Sequence, residues 1–289
     1  MSYSADISMS DVQETNNTAA VYRRAAEWFD QTVTIPPQAR ELLEKYSRIP
    51  PDRLEQTVIN LRNRAWLTWP YPCIGQFRFL KLSLANRDDL YPRLLARLQA
   101  GDTILDLGCC LGQDIRKLAF DGAPATSLFG AELKADFIDL GYELFRDRDR
   151  ANRATFFQAD ILDQEGPLAE YRWQFDVLNL GMVVHLFSRA EQLALFKHAI
   201  KLLKPATPGT AIIGQAWGHL DGVATPAEPG KERFKHNVET FKALVAEIEA
   251  ETGTRWEVNA ELDSEFDAAE RPWDDIRTRR LLFEITRVM

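Results

Sequence analysis

The sequence has few cysteines: its 289 residues include three, at Cys73, Cys109 and Cys110. An odd number of cysteines cannot form a fully paired disulfide framework, and their spacing matches no pattern of metal ligands. We therefore expect a protein of a reducing compartment, with no metal at its functional site.

Long apolar runs and clustered basic residues are also missing. No run approaches the roughly 20 apolar residues that a membrane-spanning helix needs, and residues 1–17 lack the apolar core of a signal peptide. The net charge is −8, and nucleic-acid binders usually present a clustered cationic face instead. These absences predict a soluble, cytoplasmic protein with neither a membrane nor a nucleic acid as its partner.

The sequence pattern divides the chain into three parts. Residues 1–17 predict a disordered leader, residues 18–98 a proline-interrupted helical cap or lid, and residues 99–289 an α/β core. The aromatic, proline-rich stretch 66–75 is predicted to be a loop because proline interrupts a regular helix. Amphipathic periodicity predicts two short helices before it, at 39–46 and 52–66.

From residue 101 onward, short apolar runs alternate with longer amphipathic stretches. The predicted strands are 103–107, 127–132, 155–158, 175–180, 210–214, 256–260 and 280–286. The predicted helices are 113–120, 135–146, 189–203 and 238–251. This alternation predicts a mostly parallel seven-stranded sheet with helices on both faces. The last two strands, with no helix after them, resemble the end of the class I methyltransferase fold, which implies a hairpin at the sheet edge. Residues 218–236, rich in Gly and Pro, are predicted to form a surface insertion.

A glycine-containing turn, Asp106-Leu-Gly-Cys-Cys-Leu-Gly112, follows the first predicted strand. In a doubly wound sheet, such a turn borders the crevice that holds nucleotide-like ligands. Gly108 and Gly112 do not have the spacing of a dinucleotide fingerprint. The carboxylate of Asp106 would repel a pyrophosphate but attract the cationic groups of S-adenosylmethionine. The turn resembles the acidic-x-Gly-x-Gly-x-Gly pattern of methyltransferases, except that Cys110 replaces the middle glycine and must adopt its backbone angles.

Acidic and amide side chains also follow the next predicted strands. Glu132 ends the second strand, where an acidic residue binds ribose hydroxyls in such folds. Asp160 follows the third strand, and Asn179 lies near the end of the fourth. The resemblance to class I methyltransferases implies that Asp160 accepts a hydrogen bond from the adenine amino group and that Ile161 packs on the ring. The predicted cofactor-binding residues are Asp106, Gly108, Cys109, Gly112, Glu132, Leu133, Ala159, Asp160, Ile161 and Asn179.

Three longer motifs, at 71–80, 106–114 and 141–145, together resemble the fungal meroterpenoid methyltransferases. The resemblance extends over about residues 66–205. It implies a class I, Rossmann-like fold with an N-terminal helical cap, S-adenosylmethionine as cofactor, and a homodimer. Several members form a methyl ester on an aromatic polyketide carboxylate that bears a farnesyl chain. An apolar, aromatic carboxylate is therefore the small-molecule acceptor that the resemblance implies here.

The acceptor chemistry leaves the role of His185 open. A carboxylate is anionic near neutral pH and needs no general base, whereas a phenol, with a reference pKa near 10, would gain from a base such as histidine. His185, which follows the fourth predicted strand, is either that base or a structural residue. His198 is predicted to face solvent. His219 and His236 flank the insertion and could reach the same cleft as His185, but they are predicted to be surface residues of a flexible loop.

Further alternatives concern the aromatic segment and the reaction class. Trp66, Trp69, Tyr71 and Phe77 either cover an apolar acceptor as a lid or pack the N-terminal helices. Methyl transfer to a phenol or nitrogen is an alternative to ester formation. A non-catalytic, methyltransferase-like regulator is the other alternative.

Overall fold

The computed structural model describes residues 28–227, 231–263 and 274–288, so the predicted disordered leader lies outside the described residues. The chain forms two compact units, Met1–Lys81 and Leu82–Met289. The boundary precedes the predicted one at residue 98. The helix Leu90–Gln99 belongs to the second unit and not to the N-terminal one, because Leu94 and other apolar residues of this helix pack against the first strand of the second unit.

The N-terminal unit consists of short helical segments. Its helices are α1 (Pro37–Glu41, continued by the π-helical turn Leu42–Tyr46), α2 (Leu54–Thr68) and α3 (Pro72–Gly75). Two 3₁₀ turns, Pro51–Arg53 and Arg78–Leu80, complete it. The prediction of a loop over 66–75 was therefore wrong at both ends. Helix α2 runs through Thr68, and Pro72 starts α3 because proline is tolerated at the first helical position.

A buried arginine organises the centre of this unit. The guanidinium of Arg62 lies between the rings of Phe29 and Phe77, at 3.8 and 4.1 Å from their centroids, and donates a hydrogen bond to the carbonyl of Gly75 at 2.7 Å. Trp66 packs edge-on against Phe29. Within the N-terminal unit, these aromatic residues therefore make packing contacts.

The second unit contains a seven-stranded sheet. Its strands are β1 (Ile104–Leu107), β2 (Leu128–Glu132), β3 (Thr155–Gln158), β4 (Val177–Gly181), β5 (Ala211–His219), β8 (Trp256–Leu262) and β9 (Thr278–Arg287). Their order in the sheet is β3-β2-β1-β4-β5-β9-β8. Two further strands, β6 (Val223–Pro226) and β7 (Glu232–Lys235), pair with each other. Strands β1 to β5 are parallel, whereas β9 is antiparallel to both β5 and β8. This arrangement confirms the predicted fold class, including its edge hairpin.

Helices flank the strands of this unit. Helix α4 (Leu90–Gln99) precedes β1. Helices α5 (Gln113–Phe120), α6 (Ala135–Phe145) and α7 (Arg189–Leu202) connect β1 to β2, β2 to β3 and β4 to β5, and α8 (Val238–Thr252) precedes β8. The 3₁₀ turns are Ala125–Ser127, Pro167–Tyr171 and Val184–Leu186. Helices α7 and α8 begin at capping boxes formed by Ser188 with Glu191 and by Asn237 with Thr240. None of the described helices combines the length and the apolarity that crossing a bilayer requires.

The region predicted as an insertion is more regular than its composition indicates. Strand β5 continues to His219 because β9 pairs with it over its whole length. The β6–β7 hairpin follows, and two backbone hydrogen bonds fasten it to the sheet unit. The Phe234 amide donates to the Phe187 carbonyl, and the His219 amide donates to the His236 carbonyl, both at 3.0 Å.

Candidate cofactor site

The turn after β1 has the backbone geometry that the glycine pattern predicts. Gly108 and Gly112 have φ angles of +79° and +68°, and Cys110 has +54°. Cys110 thus adopts the left-handed conformation that it needs in place of glycine. A Cβ atom on Gly108 would lie 2.5 Å from Val183. The turn is held to β2, since the amide of Gly108 donates to the Ala131 carbonyl at 2.8 Å.

Asp106 and Asn179 are paired neighbours on β1 and β4. Strand β1 is buried along its length, and both side chains lie beneath the turn with 4% of their surface exposed. The amide Nδ2 of Asn179 donates a hydrogen bond to Asp106 Oδ1 at 2.8 Å. Burial, with a smaller contribution from the charge of Asp114, raises the pKa of Asp106 to about 8. A nearby cation would favour its ionised form.

Glu132 ends β2 and points back to the same turn. Its Oε2 accepts a hydrogen bond from the Cys110 amide at 2.9 Å, and its Oε1 accepts one from the Lys134 amide at 3.1 Å. Burial raises the pKa of this carboxyl group. The next residue, Leu133, is 45% exposed. Glu132 therefore lies at the glycine turn, and the apolar side chain of Leu133 beside it is partly exposed to solvent.

Asp114 is a third acidic residue near the turn, and the sequence analysis missed it. It lies in the first turn of α5, and its Oδ1 accepts a hydrogen bond from the Leu84 amide at 3.0 Å. Burial raises its pKa to about 6. An acidic residue directly after a glycine turn at a helix N-terminus was the available signal. Asp106, Asp114 and Glu132 thus place three buried hydrogen-bond acceptors at or beside the turn. Ionised carboxylates attract cations and repel phosphates.

The end of β3 carries the predicted adenine-side residues. The Ala159 amide donates to the Glu132 carbonyl at 3.0 Å, which ties this end to β2. Asp160 is exposed, and its Oδ1 accepts a hydrogen bond from the Leu162 amide at 2.9 Å. Ile161 is half-buried against the apolar core of the sheet unit. Glu132 is the last residue of β2, and Asp160 follows the end of the neighbouring strand β3.

Cys109 contributes backbone rather than a thiol to the turn. Its side chain is buried, and a Cβ atom on Gly130 of β2 would lie 2.9 Å from its Sγ. Burial raises the pKa of the Cys109 thiol. Its amide donates to the Ala131 carbonyl at 3.0 Å. This thiol therefore packs against the sheet.

A buried ion pair between Arg116 and Asp147 stabilises the glycine turn. The guanidinium of Arg116 donates to both carboxylate oxygens of Asp147, at 2.7 and 3.0 Å, and to the Leu111 carbonyl at 2.7 Å. It also lies 4.3 Å from the ring centroid of Phe156. The sequence contained no local signal for this pair, since its partners come from different elements.

His185 lies on the predicted acceptor side. It occupies the 3₁₀ turn that follows β4, is buried, and has its ring centroid 6.2 Å from that of Trp217 on β5. This position fits both of the roles left open by the sequence. The structure therefore brings His185 to the carboxyl edge of the sheet.

The other three histidines are buried, so their predicted surface positions were wrong. His198 donates through Nδ1 to the Ile161 carbonyl at 2.8 Å. His236 contacts Gln192 Oε1 through Nε2 at 2.7 Å, and burial lowers its pKa to about 3. His219 ends the buried strand β5. Packing of α7 and the hairpin against the sheet covers these rings, which periodicity alone does not reveal.

Two family profiles match the chain. One, described as the meroterpenoid methyltransferase N-terminal domain, matches residues 28–80, and the other, described as a methyltransferase domain, matches residues 104–206. Among solved structures, the carbon methyltransferase CurJ has a TM-score of 0.50 at 14% identity, covering 94% of this chain and 70% of that chain. This likeness concerns the fold alone.

Curated relatives are fungal methyltransferases. The O-methyltransferase atr3 of Stereocaulon alpinum is 42% identical over 258 residues, which cover 88% of this chain and 73% of the relative. The methyltransferase trt5 of Aspergillus terreus is 36% identical over 219 residues, covering 75% of this chain and 78% of the relative. The chain therefore belongs to the fungal meroterpenoid methyltransferase family and is an S-adenosylmethionine-dependent enzyme of class I fold, not a non-catalytic regulator.

Proposed function

We propose that the enzyme methylates the carboxylate of an apolar, aromatic secondary metabolite and so forms a methyl ester. The observation that carries the cofactor side of this proposal is the set of three buried carboxylates, Asp106, Asp114 and Glu132, around a turn with left-handed backbone. The acceptor side rests on the family resemblance and on the chemistry of a carboxylate acceptor.

Each cofactor residue has a role that its position supports. Asp106 and Asp114 would stabilise the cationic groups of the cofactor, and Glu132 would accept hydrogen bonds from the ribose hydroxyls. Asp160, which is exposed at the end of β3, would accept a hydrogen bond from the adenine amino group, and Ile161 would pack on the ring. The remaining predicted cofactor-binding residues belong to the turn or to the ends of β2, β3 and β4: Gly108, Cys109, Gly112, Leu133, Ala159 and Asn179.

The protein needs to do little besides orient the acceptor and exclude water. When bound, S-adenosylmethionine supplies an electrophilic methyl group. A carboxylate is already ionised near neutral pH, so no residue has to remove a proton from it. Buried Val183 and Val184, directly after β4, provide apolar surroundings beside the glycine turn. Alignment in such surroundings is the main source of rate enhancement for a displacement of this kind.

His185 supports a second candidate function, methyl transfer to a phenol. Its buried position directly after β4 is where a general base for a phenolic hydroxyl would be needed. The two functions predict different consequences for His185→Ala. With a carboxylate acceptor the variant should retain its rate within about 5-fold, whereas loss of a general base should reduce phenol methylation by about 100-fold or more.

The test of ester formation uses an aromatic acid that carries phenolic hydroxyls and a farnesyl chain. The enzyme is incubated with S-adenosylmethionine and this acid, and the product is analysed by mass spectrometry before and after mild saponification. An ester loses the added methyl group on saponification, whereas an aryl ether or N-methyl product keeps it. The matched control is the primary amide of the same acid, which retains the phenols. Methylation of the amide, or a product resistant to saponification, would contradict the proposal.

We also propose that the enzyme is a homodimer, as the family resemblance implies. Light scattering coupled to size-exclusion chromatography should then give a mass of twice 33.0 kDa. A mass of 33.0 kDa at micromolar concentration would contradict this proposal and leave the cofactor assignment unaffected.

A further inference from the structure

His198 lies behind the turn that follows β3. It is on α7, with 1% of its surface exposed, and its Nδ1 is 2.8 Å from the carbonyl oxygen of Ile161. A carbonyl oxygen only accepts hydrogen bonds, so the proton must be on Nδ1. The ring therefore donates directly to the backbone of the residue expected to pack on adenine.

The other ring nitrogen of His198 makes no hydrogen bond within the described structure that competes with the bond to Ile161. Nε2 is buried and has no hydrogen-bond partner within the described ranges. Burying a ring nitrogen without a partner costs free energy, so the hydrogen bond of Nδ1 is what offsets the burial of the polar atoms of this ring. The bond to Ile161 is thus the polar interaction that the described structure assigns to this side chain.

The turn itself is held mainly by local bonds. Asp160 Oδ1 accepts from the Leu162 amide at 2.9 Å, and the Asp160 carbonyl accepts from the Asp163 amide at 3.2 Å. These bonds define the shape of the turn but not its position against the helix behind it. The packing of Ile161 and Leu162 against the apolar core and the hydrogen bond from His198, which joins the turn to α7, provide that position.

We infer that His198 is a positioning residue for the adenine-binding turn. It holds the backbone of Ile161 so that the Ile161 side chain and the Asp160 carboxylate present the correct geometry to the adenine ring. This inference rests on the proposed cofactor roles of Asp160 and Ile161. His198 itself would not contact the cofactor.

Two amide substitutions separate a positioning role from a general packing role. In His198→Asn, the amide nitrogen takes nearly the place of Nδ1 and can still donate to Ile161. In His198→Gln, the amide nitrogen lies one methylene farther out and cannot make the same bond. His198→Leu removes the donor but keeps an apolar side chain. Lys201→Ala is the matched control, because Lys201 on the same helix bonds Gln164 at 2.9 Å, beyond the turn.

The readout is binding of S-adenosylhomocysteine by calorimetry, with thermal melting as the check of folding. We expect about 10-fold weaker binding for His198→Gln and His198→Leu, and binding within about 3-fold of wild type for His198→Asn and Lys201→Ala. If His198→Leu does not fold, the comparison of Asn with Gln decides. Equal affinities for these two variants would overturn the inference.

An analogue without the adenine amino group tests which part of the ligand is affected. S-inosylhomocysteine carries a keto oxygen in that position and cannot donate to Asp160. His198→Gln should weaken its binding less than it weakens binding of S-adenosylhomocysteine, because the analogue keeps the contact with Ile161 but has no amino group for Asp160. Equal losses for the two ligands would overturn the inference. If the wild-type enzyme bound neither ligand, the proposed cofactor roles would fail as well, so the two failures are distinguishable.

Discussion

Asn179 on β4 donates a hydrogen bond to Asp106 on β1 across two strands in register, with 2.8 Å between Nδ2 and Oδ1. The bond favours the ionised carboxylate, but burial and the nearby charge of Asp114 outweigh it, so the pKa of Asp106 rises to about 8. The ligand-free protein therefore holds a carboxyl group that is ready to ionise when a cation arrives.

The raised pKa of Asp106 predicts that the ligand-free enzyme loses stability as the pH increases. A carboxyl group whose pKa is higher in the folded state stabilises the protein fully below its unfolded pKa, and this contribution is lost as the pH rises through about 8. We expect the free energy of unfolding to fall by on the order of 1 to 2 kcal/mol between about pH 6 and pH 8. Urea unfolding followed by tryptophan fluorescence measures it.

Asp106→Asn should flatten this pH dependence, because the amide does not titrate. Asp136→Asn, at an exposed position on α6, is the matched control and should leave the slope unchanged. An Asp106→Asn variant with the wild-type slope would show that Asp106 is not the titrating group.

Glu132→Gln should weaken cofactor binding without unfolding the protein. The carboxylate accepts from two backbone amides, whereas a glutamine presents an NH₂ group to one of them and carries no charge for the ribose hydroxyls. We expect about 10- to 100-fold weaker binding of S-adenosylhomocysteine, because hydrogen bonds to charged groups contribute about 1.5 to 3 kcal/mol. Calorimetry measures the affinity, with the exposed Glu257→Gln as control. Unchanged affinity would remove Glu132 from the site.

Cys110→Gly should stabilise the enzyme slightly. A non-glycine residue in the left-handed region costs about 1 to 2 kcal/mol, whereas glycine costs about 0.5 to 1 kcal/mol through greater freedom of the unfolded chain. The difference predicts a gain of about 0.5 to 1 kcal/mol in the free energy of unfolding. Cys110→Val should lose stability instead, since a β-branched side chain tolerates this conformation poorly. A loss of stability in Cys110→Gly would indicate that the thiol makes a contact worth more than the strain.

Arg116→Met should destabilise the enzyme strongly, because Asp147 would lose its buried counter-ion. Breaking such a pair costs about 3 to 5 kcal/mol. The double variant Arg116→Met with Asp147→Leu should regain part of this loss, since no buried charge then remains without its partner. Urea unfolding of the single and double variants measures both effects. A double variant no more stable than Arg116→Met would mean that the bond to the Leu111 carbonyl, and not the charge pair, is what matters.

Local sequence patterns predicted the bounds of an element correctly where neighbouring residues alone determine its structure. Helix α5 begins and ends at the predicted residues 113 and 120, and β3 has the predicted bounds 155–158. The prediction of a loop over 66–75 also used local patterns alone, and it failed. Proline was interpreted as a helix breaker, although Pro72 starts a short helix. Proline disrupts the interior of a helix but is tolerated at its first position, and the sequence pattern does not show which of these two positions a proline occupies.

The sequence by itself determined the alternation of strands and helices, the glycine turn and the acidic residues at the strand ends, since periodicity and turn chemistry act over a few neighbouring residues. Only the tertiary structure decided which distant groups meet. Asp114 contacts Leu84 across 30 positions, Arg116 contacts Asp147 across 31, and His198 contacts Ile161 across 37. Such contacts depend on how elements pack, and packing chooses partners by shape and hydrogen bonding in space rather than by distance along the chain.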